Sequence, residues 1–140
     1  MADLADIREA LAAQLAARIP GLRTQTDTGA ITNPPCAVVL PAQGTLIDYT
    51  IAFEQGVADY NMRVVILVPG ETADRVATAL IDTFVAIDGP SSIPAAILAD
   101  PTLGAVVDFA VPVTAQNFRP VEWAGFTYTS AEILVKVGAQ

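Results

Sequence analysis

The sequence predicts an α+β domain: a small mixed, largely antiparallel sheet, with an N-terminal helix and a central helix pair packed on one face. Three observations carry this. Leu4, Ile7, Leu11, Leu15 and Ile19 recur at steps of three and four, which is one face of an amphipathic helix. Tyr60, Met62, Val64, Ile66 and Val68 recur at a period of two, the pattern of a strand with one face on a core. The 140 residues are 53% hydrophobic and 16% charged, the balance of a chain that folds around one core.

The first helix is expected to start at Asp3, whose carboxylate can cap it, and to stop at Pro20-Gly21. Arg23 to Pro35 is polar and broken by Gly29 and Pro34-Pro35, so it reads as a long loop. Cys36 to Leu40 is wholly apolar ahead of Pro41, as in a strand buried on both faces. Tyr49, Ile51 and Phe53 alternate with Thr50 and Ala52. Glu54 to Asp59 then reads as a turn, and Tyr60 to Val68 as the return strand of an antiparallel hairpin. The first strand of that pair is the more polar, as at an edge. Val65 and Leu67 make the end of the second apolar on both faces, as at the centre of a sheet.

Pro69-Gly70 breaks that strand. Thr72 is placed to cap a helix whose inner face would be Val76, Leu80, Phe84 and Ile87, ended by Asp88-Gly89-Pro90. Ser92 caps a shorter helix with Pro94 in its first turn. After a turn at Asp100–Gly104, Val107, Phe109, Val111 and Val113 alternate. Pro112 has no N–H for a ladder, which places this strand at an edge or at a bulge. Gln116 to Gly125 reads as a long turn carrying Arg119 and Trp123. The last strand, Phe126 to Val137, changes parity, and a bulge or bend near Ser130-Ala131 would account for that. With no internal repeat and no linker, residues 1–140 read as a single domain.

The residue inventory argues against catalysis. There is no histidine, which removes the commonest general base and the commonest metal ligand, and with them a serine triad of the usual kind. Cys36 is the only cysteine and sits in an apolar run, where an inert buried thiol is expected and no internal disulfide can form. Pro69-Gly-Glu-Thr72 joins a strand to a helix but lacks the glycines and lysine of a phosphate loop. The acid pairs Asp82 and Asp88, Asp100 and Asp108, and Asp48 and Asp59 read as solvated surface carboxylates, and none has the spacing of a calcium loop. No catalytic, cofactor-binding or metal-binding residue is expected, and the chain is not expected to be an enzyme.

Fifteen acids against seven bases give a net charge of −8, without the basic patch that gripping phosphates requires. No apolar run approaches the roughly 20 residues that span a bilayer. Met1 to Ile19 is interrupted by Asp3, Asp6, Arg8, Glu9 and Arg18, unlike a signal peptide, so the chain is expected to stay in the compartment where it is made. Arg119 and Trp123 stand out, because arginine and tryptophan are enriched among interface hot spots.

Several segments carry a family resemblance. They are Leu15-Ala-Ala-Arg-Ile-Pro-Gly-Leu22, Tyr49-Thr-Ile-Ala-Phe53 with Asp59-Tyr-Asn-Met-Arg-Val-Val-Ile-Leu-Val68, and Asp88-Gly-Pro-Ser-Ser-Ile93 through Ala99-Asp-Pro-Thr-Leu-Gly104 to Val107. Trp123-Ala-Gly-Phe-Thr-Tyr128 adds a fourth. On these the chain resembles the tail terminator proteins of phages with long non-contractile tails. The likeness covers most of the chain and rests on the order and length of elements, because the family has no catalytic signature. It implies a small α+β fold and a homohexameric ring seated on the last ring of the tail tube. Its partners would be its own copies, the tail tube protein and the head–tail connector protein. DNA would pass through without being read, no membrane would be involved, and the site of action would be the head-proximal end of the virion tail, after synthesis in the host cytoplasm. Candidate contact residues are Tyr49, Phe53, Glu54, Asp59 and Arg63 on the hairpin, and Arg119, Glu122 and Trp123 on the final turn. The alternatives are another head–tail connector or tail-tube component, or a small ligand- or peptide-binding α+β module.

Overall fold

The computed structural model describes residues 3–31, 34–49, 56–70 and 75–139. Its elements in chain order are α1 (Leu4–Arg18), β1 (Arg23–Gln25), β2 (Cys36–Pro41), β3 (Ile47–Asp48), β4 (Ala58–Pro69), α2 (Arg75–Val85), α3 (Ile93–Ala99), β5 (Phe109–Trp123) and β6 (Phe126–Ala139). The strands form one mixed sheet in the order β1-β2-β4-β6-β5, with β3 also paired to β4. Among the described strands only β1 and β2 run parallel; every other pair is antiparallel. The α+β class is as expected.

The three central strands are apolar on both faces. Ala37, Val39, Met62, Val64, Ile66, Val68, Ile133, Val135 and Val137 point to one side, where they bury Ile7, Leu11, Leu15, Ala77, Ile81, Phe84, Ile93 and Ile97 of the three helices. The helices therefore all lie on this face. Cys36, Val38, Leu40, Val65, Leu67 and Tyr128 point to the other side and form a second, smaller cluster.

Local signals set the helix ends. Asp3 accepts from the Asp6 amide at 2.9 Å, and Asp6 accepts from the Asp3 amide at 3.1 Å, a reciprocal capping box. Gly21, at φ 80°, turns the chain away after Ile19. Ser92 caps α3 by accepting from the Ala95 amide at 3.0 Å. The other end of α3 is held from a distance. The Gln14 side-chain amide on α1 donates to the carbonyls of Ala96, Ile97 and Asp100, at 2.8, 3.2 and 2.9 Å. These carbonyls at the end of the helix lack intrahelical partners, and Gln14 supplies one.

The structure corrects several expectations. Arg23–Gln25 is not loop but a strand parallel to Cys36–Val38. Its three residues show no periodicity from which a strand could be read. The hairpin entering β4 forms at β3, where Ile47 faces Tyr60 and Asp48 faces Asp59. Tyr49 lies just past β3, and the expected strand at Thr50–Phe53 lies outside the described residues, as does Thr72. Asp59 is not in a turn but within β4. The buried face of α2 is Ala77, Ile81 and Phe84, with Leu80 partly covered, whereas Val76 is 70% exposed and Ile87 88% exposed. Bulk misled here: small Ala77 is the contact that lets the helix sit close to the sheet, and Ile87 lies past the helix end.

Gln116 to Trp123 is not a turn. It continues β5, an edge strand, to a two-residue turn at Ala124-Gly125. From Val113 to Pro120 the strand is exposed on both faces, so no inward set of residues marks it in the sequence. The expected irregularity at Pro112 is present, as a register shift between Pro112 and Thr114. A bulge in β6 is not. Strand β6 pairs regularly with β4 from Tyr128 to Ala139. Its apparent change of parity arises because both faces are used: Tyr128 packs in the second cluster, and Ala131, Ile133, Val135 and Val137 pack on the helix face. The second register shift falls on β5, between Gln116 and Arg119.

Loss of the Gln14 contacts should be measurable. Gln14→Ala is expected to lower unfolding free energy by about 1–2 kcal/mol with an unchanged denaturant slope. Gln14→Glu should cost more, because it sets a carboxylate against three carbonyls. Equal stability of all three chains in urea titrations would refute this anchoring role.

Candidate functional site

The face of the sheet away from the helices is covered at one end and open at the other. Over Val38, Val65, Leu67 and Tyr128 the second cluster is covered by Ile31, Val121 and Trp123. The Trp123 indole N–H donates to the Gly29 carbonyl at 2.9 Å, which ties the β5–β6 hairpin to the 26–31 loop. Toward the other end the face holds Asn61, Arg63, Glu132, Leu134 and Lys136, side by side on β4 and β6.

A polar strap crosses this face over four strands. Arg63 on β4 donates through Nε to the Pro41 carbonyl of β2 at 3.2 Å, and through Nη1 to Glu132 Oε1 of β6 at 2.7 Å. Glu132 Oε2 in turn accepts from the Asn117 side-chain amide of β5. Asn117 sits in the bulge at φ 58°, a conformation that asparagine tolerates better than most residues. Burial alone would raise the Glu132 pKa. The hydrogen bonds from Asn117 and Arg63, with the charges of Arg63 and Arg119, outweigh it and hold the carboxyl below its ordinary 4.5. A second pair, Lys136 Nζ to Asp59 Oδ2 at 3.3 Å, lies farther along the same face.

Two clefts flank the strap and share Arg63 and Glu132 as their common wall. The larger, about 450 Å³, is floored by Asn61, Leu134 and Lys136 and walled by Ala42, Gln43 and Thr45 on one side and Val113 and Gln116 on the other. The smaller, about 170 Å³, is lined by Val65, Asn117, Arg119, Val121, Glu122, Trp123 and Ser130. Four of the eight residues singled out from the sequence, Arg63, Arg119, Glu122 and Trp123, thus line one cleft. Tyr49 is exposed and elsewhere. Phe53 and Glu54 lie outside the described residues. Asp59 is buried and paired with Lys136, so it is not the solvated carboxylate that its sequence context suggested.

Sequence reading missed Glu132, Asn117 and Lys136. The signal was there in part: Glu132 and Lys136 are charged positions inside an otherwise apolar strand, and such groups are seldom buried without a partner. The partners come from distant segments, which no local pattern reveals. Chemically the site offers hydrogen-bond donors, a neutralised ion pair and apolar walls. The Cys36 thiol, buried beneath the neighbouring cluster, is pushed up to about 11 by desolvation and stays protonated at neutral pH. Among the described residues no group of three Cys, Asp or Glu side chains is placed to hold a metal ion, and no described helix is long and apolar enough to cross a membrane.

Compared with models of known protein families and with curated proteins, the chain matches none.

The strap makes a pH prediction. The folded Glu132 pKa lies below its unfolded value. Its contribution is therefore fully present above the ordinary carboxylate range and is lost as pH falls through the folded pKa. The stability gap between the wild-type chain and Glu132→Gln should be constant from neutral pH down to the ordinary 4.5 and shrink below it. A gap that widens on acidification, followed by thermal melting, would show that the sign is wrong.

Proposed function

We propose that the chain caps the tail tube of a long non-contractile phage tail as a ring, ending tube growth and offering the joining surface for the head-side connector. The observation that carries this is the edge strand and hairpin of β5 and β6. They present Val111, Val113, Phe118 and Phe126 to solvent, Phe126 at 64% exposure. A lone small domain gains nothing from such a surface, whereas a subunit buries it against neighbours. The α+β architecture with helices on one face agrees with the fold that the resemblance implies. The net charge of −8 suits a ring through which DNA slides without sticking.

Termination follows from geometry in this reading. One side of the ring complements the tube end, and the other lacks the docking surface that a further tube ring would need. Arg119 and Trp123, which both line the smaller cleft, are the proposed anchors for that contact.

Electron microscopy of tails assembled with and without the protein tests the proposal. Overlong or uncapped tubes are expected in its absence, and tails of one length that join heads in its presence. Arg119→Glu should reduce capping while leaving the folded monomer, whereas Trp123→Ala should reduce capping and also loosen the hairpin from the 26–31 loop. Normal tails that fail only to join heads would reassign the chain to a head-side connector.

The 450 Å³ cleft favours a second reading, a small peptide- or ligand-binding module. Such a module would gain about 2.7 kcal/mol of stability as a monomer at a ligand concentration one hundred times Kd. Tails unaffected by removal of the chain, together with that stabilisation, would put this reading first.

A further inference from the structure

On the open face of the sheet the charged residues are arranged with the cations outermost. Arg63 stands directly across from Leu134, and Asn61 across from Lys136. Each cation meets its carboxylate on the diagonal, Arg63 with Glu132 and Lys136 with Asp59. The side chains of Arg63 and Lys136 are 20% and 48% exposed, those of Glu132 and Asp59 only 9% and 8%. The anions are thus sunk beneath the cations that pair with them. Both Glu132 oxygens are already engaged, by Arg63 and Asn117. An ammonium has three N–H donors and a guanidinium five, so neither cation is used up by its carboxylate. The face therefore turns positively charged donors to solvent, set around the half-buried Leu134.

These groups floor the 450 Å³ cleft, whose walls are held by the fold itself. Asn61 braces the loop wall. Its amide donates to the Leu46 carbonyl at 2.8 Å, its side chain donates to the Thr45 carbonyl at 3.1 Å, and its carbonyl accepts from the Ala42 amide at 2.9 Å. The facing wall is β5 at Val113 and Gln116. Three strand spacings separate the two, about 14 Å between backbones, the width of one polypeptide segment with its side chains. Exposed apolar surface continues past the mouth on both walls, at Leu46 on the loop and at Val111 on β5. A small free acid would fill the cavity and leave these rims in water, whereas a peptide covers them.

We propose that this cleft binds an extended peptide segment that carries an aliphatic residue and, two positions further on, a carboxylate. The aliphatic side chain rests on Leu134 against Val113, and the carboxylate meets the Lys136 ammonium. The spacing follows from strand geometry: side chains at i and i+2 of an extended segment share one face, which is the same step that separates Leu134 from Lys136 along β6. The proposal rests on the peptide-binding reading of the cleft given above and names the class of peptide. It stands whether or not the chain also caps tails.

The test uses the full chain, with the methyl groups of Leu134 and Val113 followed by NMR as acetyl-Val-Leu-Ser-Glu-Val-amide is added. Saturable shifts are expected at both residues, with half-saturation at or below about 1 mM. Replacing the peptide's glutamate by glutamine should weaken binding about tenfold, because hydrogen bonds to a charged group are the stronger ones. Lys136→Gln keeps a donor for Asp59 and should abolish that difference, and Lys136→Arg should restore it. Val113→Glu, at an exposed rim position, should weaken the acidic peptide about tenfold and its glutamine analogue little. Hexanoate or inorganic phosphate binding as strongly as the peptide would assign the cleft to free anions and overturn the peptide. Equal binding of the glutamate and glutamine peptides would overturn recognition by the cation and leave the peptide-binding reading standing. Methyl groups that none of these ligands shifts at millimolar concentration would overturn both.

Discussion

A sheet whose three central strands are apolar on both faces must be covered on both sides, and the rest of this molecule follows from that constraint. Each side chain of valine, leucine or isoleucine size contributes roughly 1.5–3 kcal/mol when fully buried, so neither face can be left to water. Three helices cover one side. Among the described residues no helix covers the other. Instead, the loop ahead of β2 and the end of a long hairpin meet over Val38, Val65, Leu67 and Tyr128, joined by the Trp123–Gly29 hydrogen bond. Trp123 is thus a structural clasp as well as a proposed contact residue, and the two roles place it at the rim of a cleft with its ring already held.

Where apolar cover ends, ion pairing begins. Arg63 and Glu132 lie on the same face as Val65 and Leu67, beyond the reach of the loop. Their desolvation is offset by the contact between them and by partners on two other strands, Pro41 for Arg63 and Asn117 for Glu132. A buried pair of this sort adds little net stability over an apolar substitute, but removing one partner strands the other. Its effect here is positional. Asn117 is fixed in a bulge of the outermost strand, and that bulge sets where Phe118 and Arg119 stand. The proposed assembly surface is therefore tied to the centre of the sheet by a chain of hydrogen bonds.

Elements with strong periodicity were legible in the sequence. Helix α1, strands β2 and β4, the Ser92 cap and the irregularity at Pro112 follow from local patterns whose physics is local. The errors fell where one local pattern had two physical causes. The parity of β6 reads as a slip when only one buried face is assumed; it is regular once both faces count. Gln116–Trp123 reads as a turn because exposure on both faces erases alternation. In α2 bulk points to Val76, Leu80, Phe84 and Ile87 as the inner face; Phe84 is buried, but with Ala77 and Ile81. The site was half legible: Arg63, Arg119, Glu122 and Trp123 come together in one cleft. Glu132 and Asn117, which hold that cleft in shape, depend on pairings across 69 and 15 residues of chain and leave no local trace.

The central claim is that the exposed hairpin is an assembly surface at the head-proximal end of a tail. Electron cryomicroscopy of that end, at a resolution that traces the chain, tests it most directly. The account predicts a closed ring of this protein on the last tube ring, with Val111, Val113, Phe118 and Phe126 of every copy buried against a neighbouring copy or the tube. A tail end without the chain, or a ring that leaves Phe126 in solvent, would contradict it.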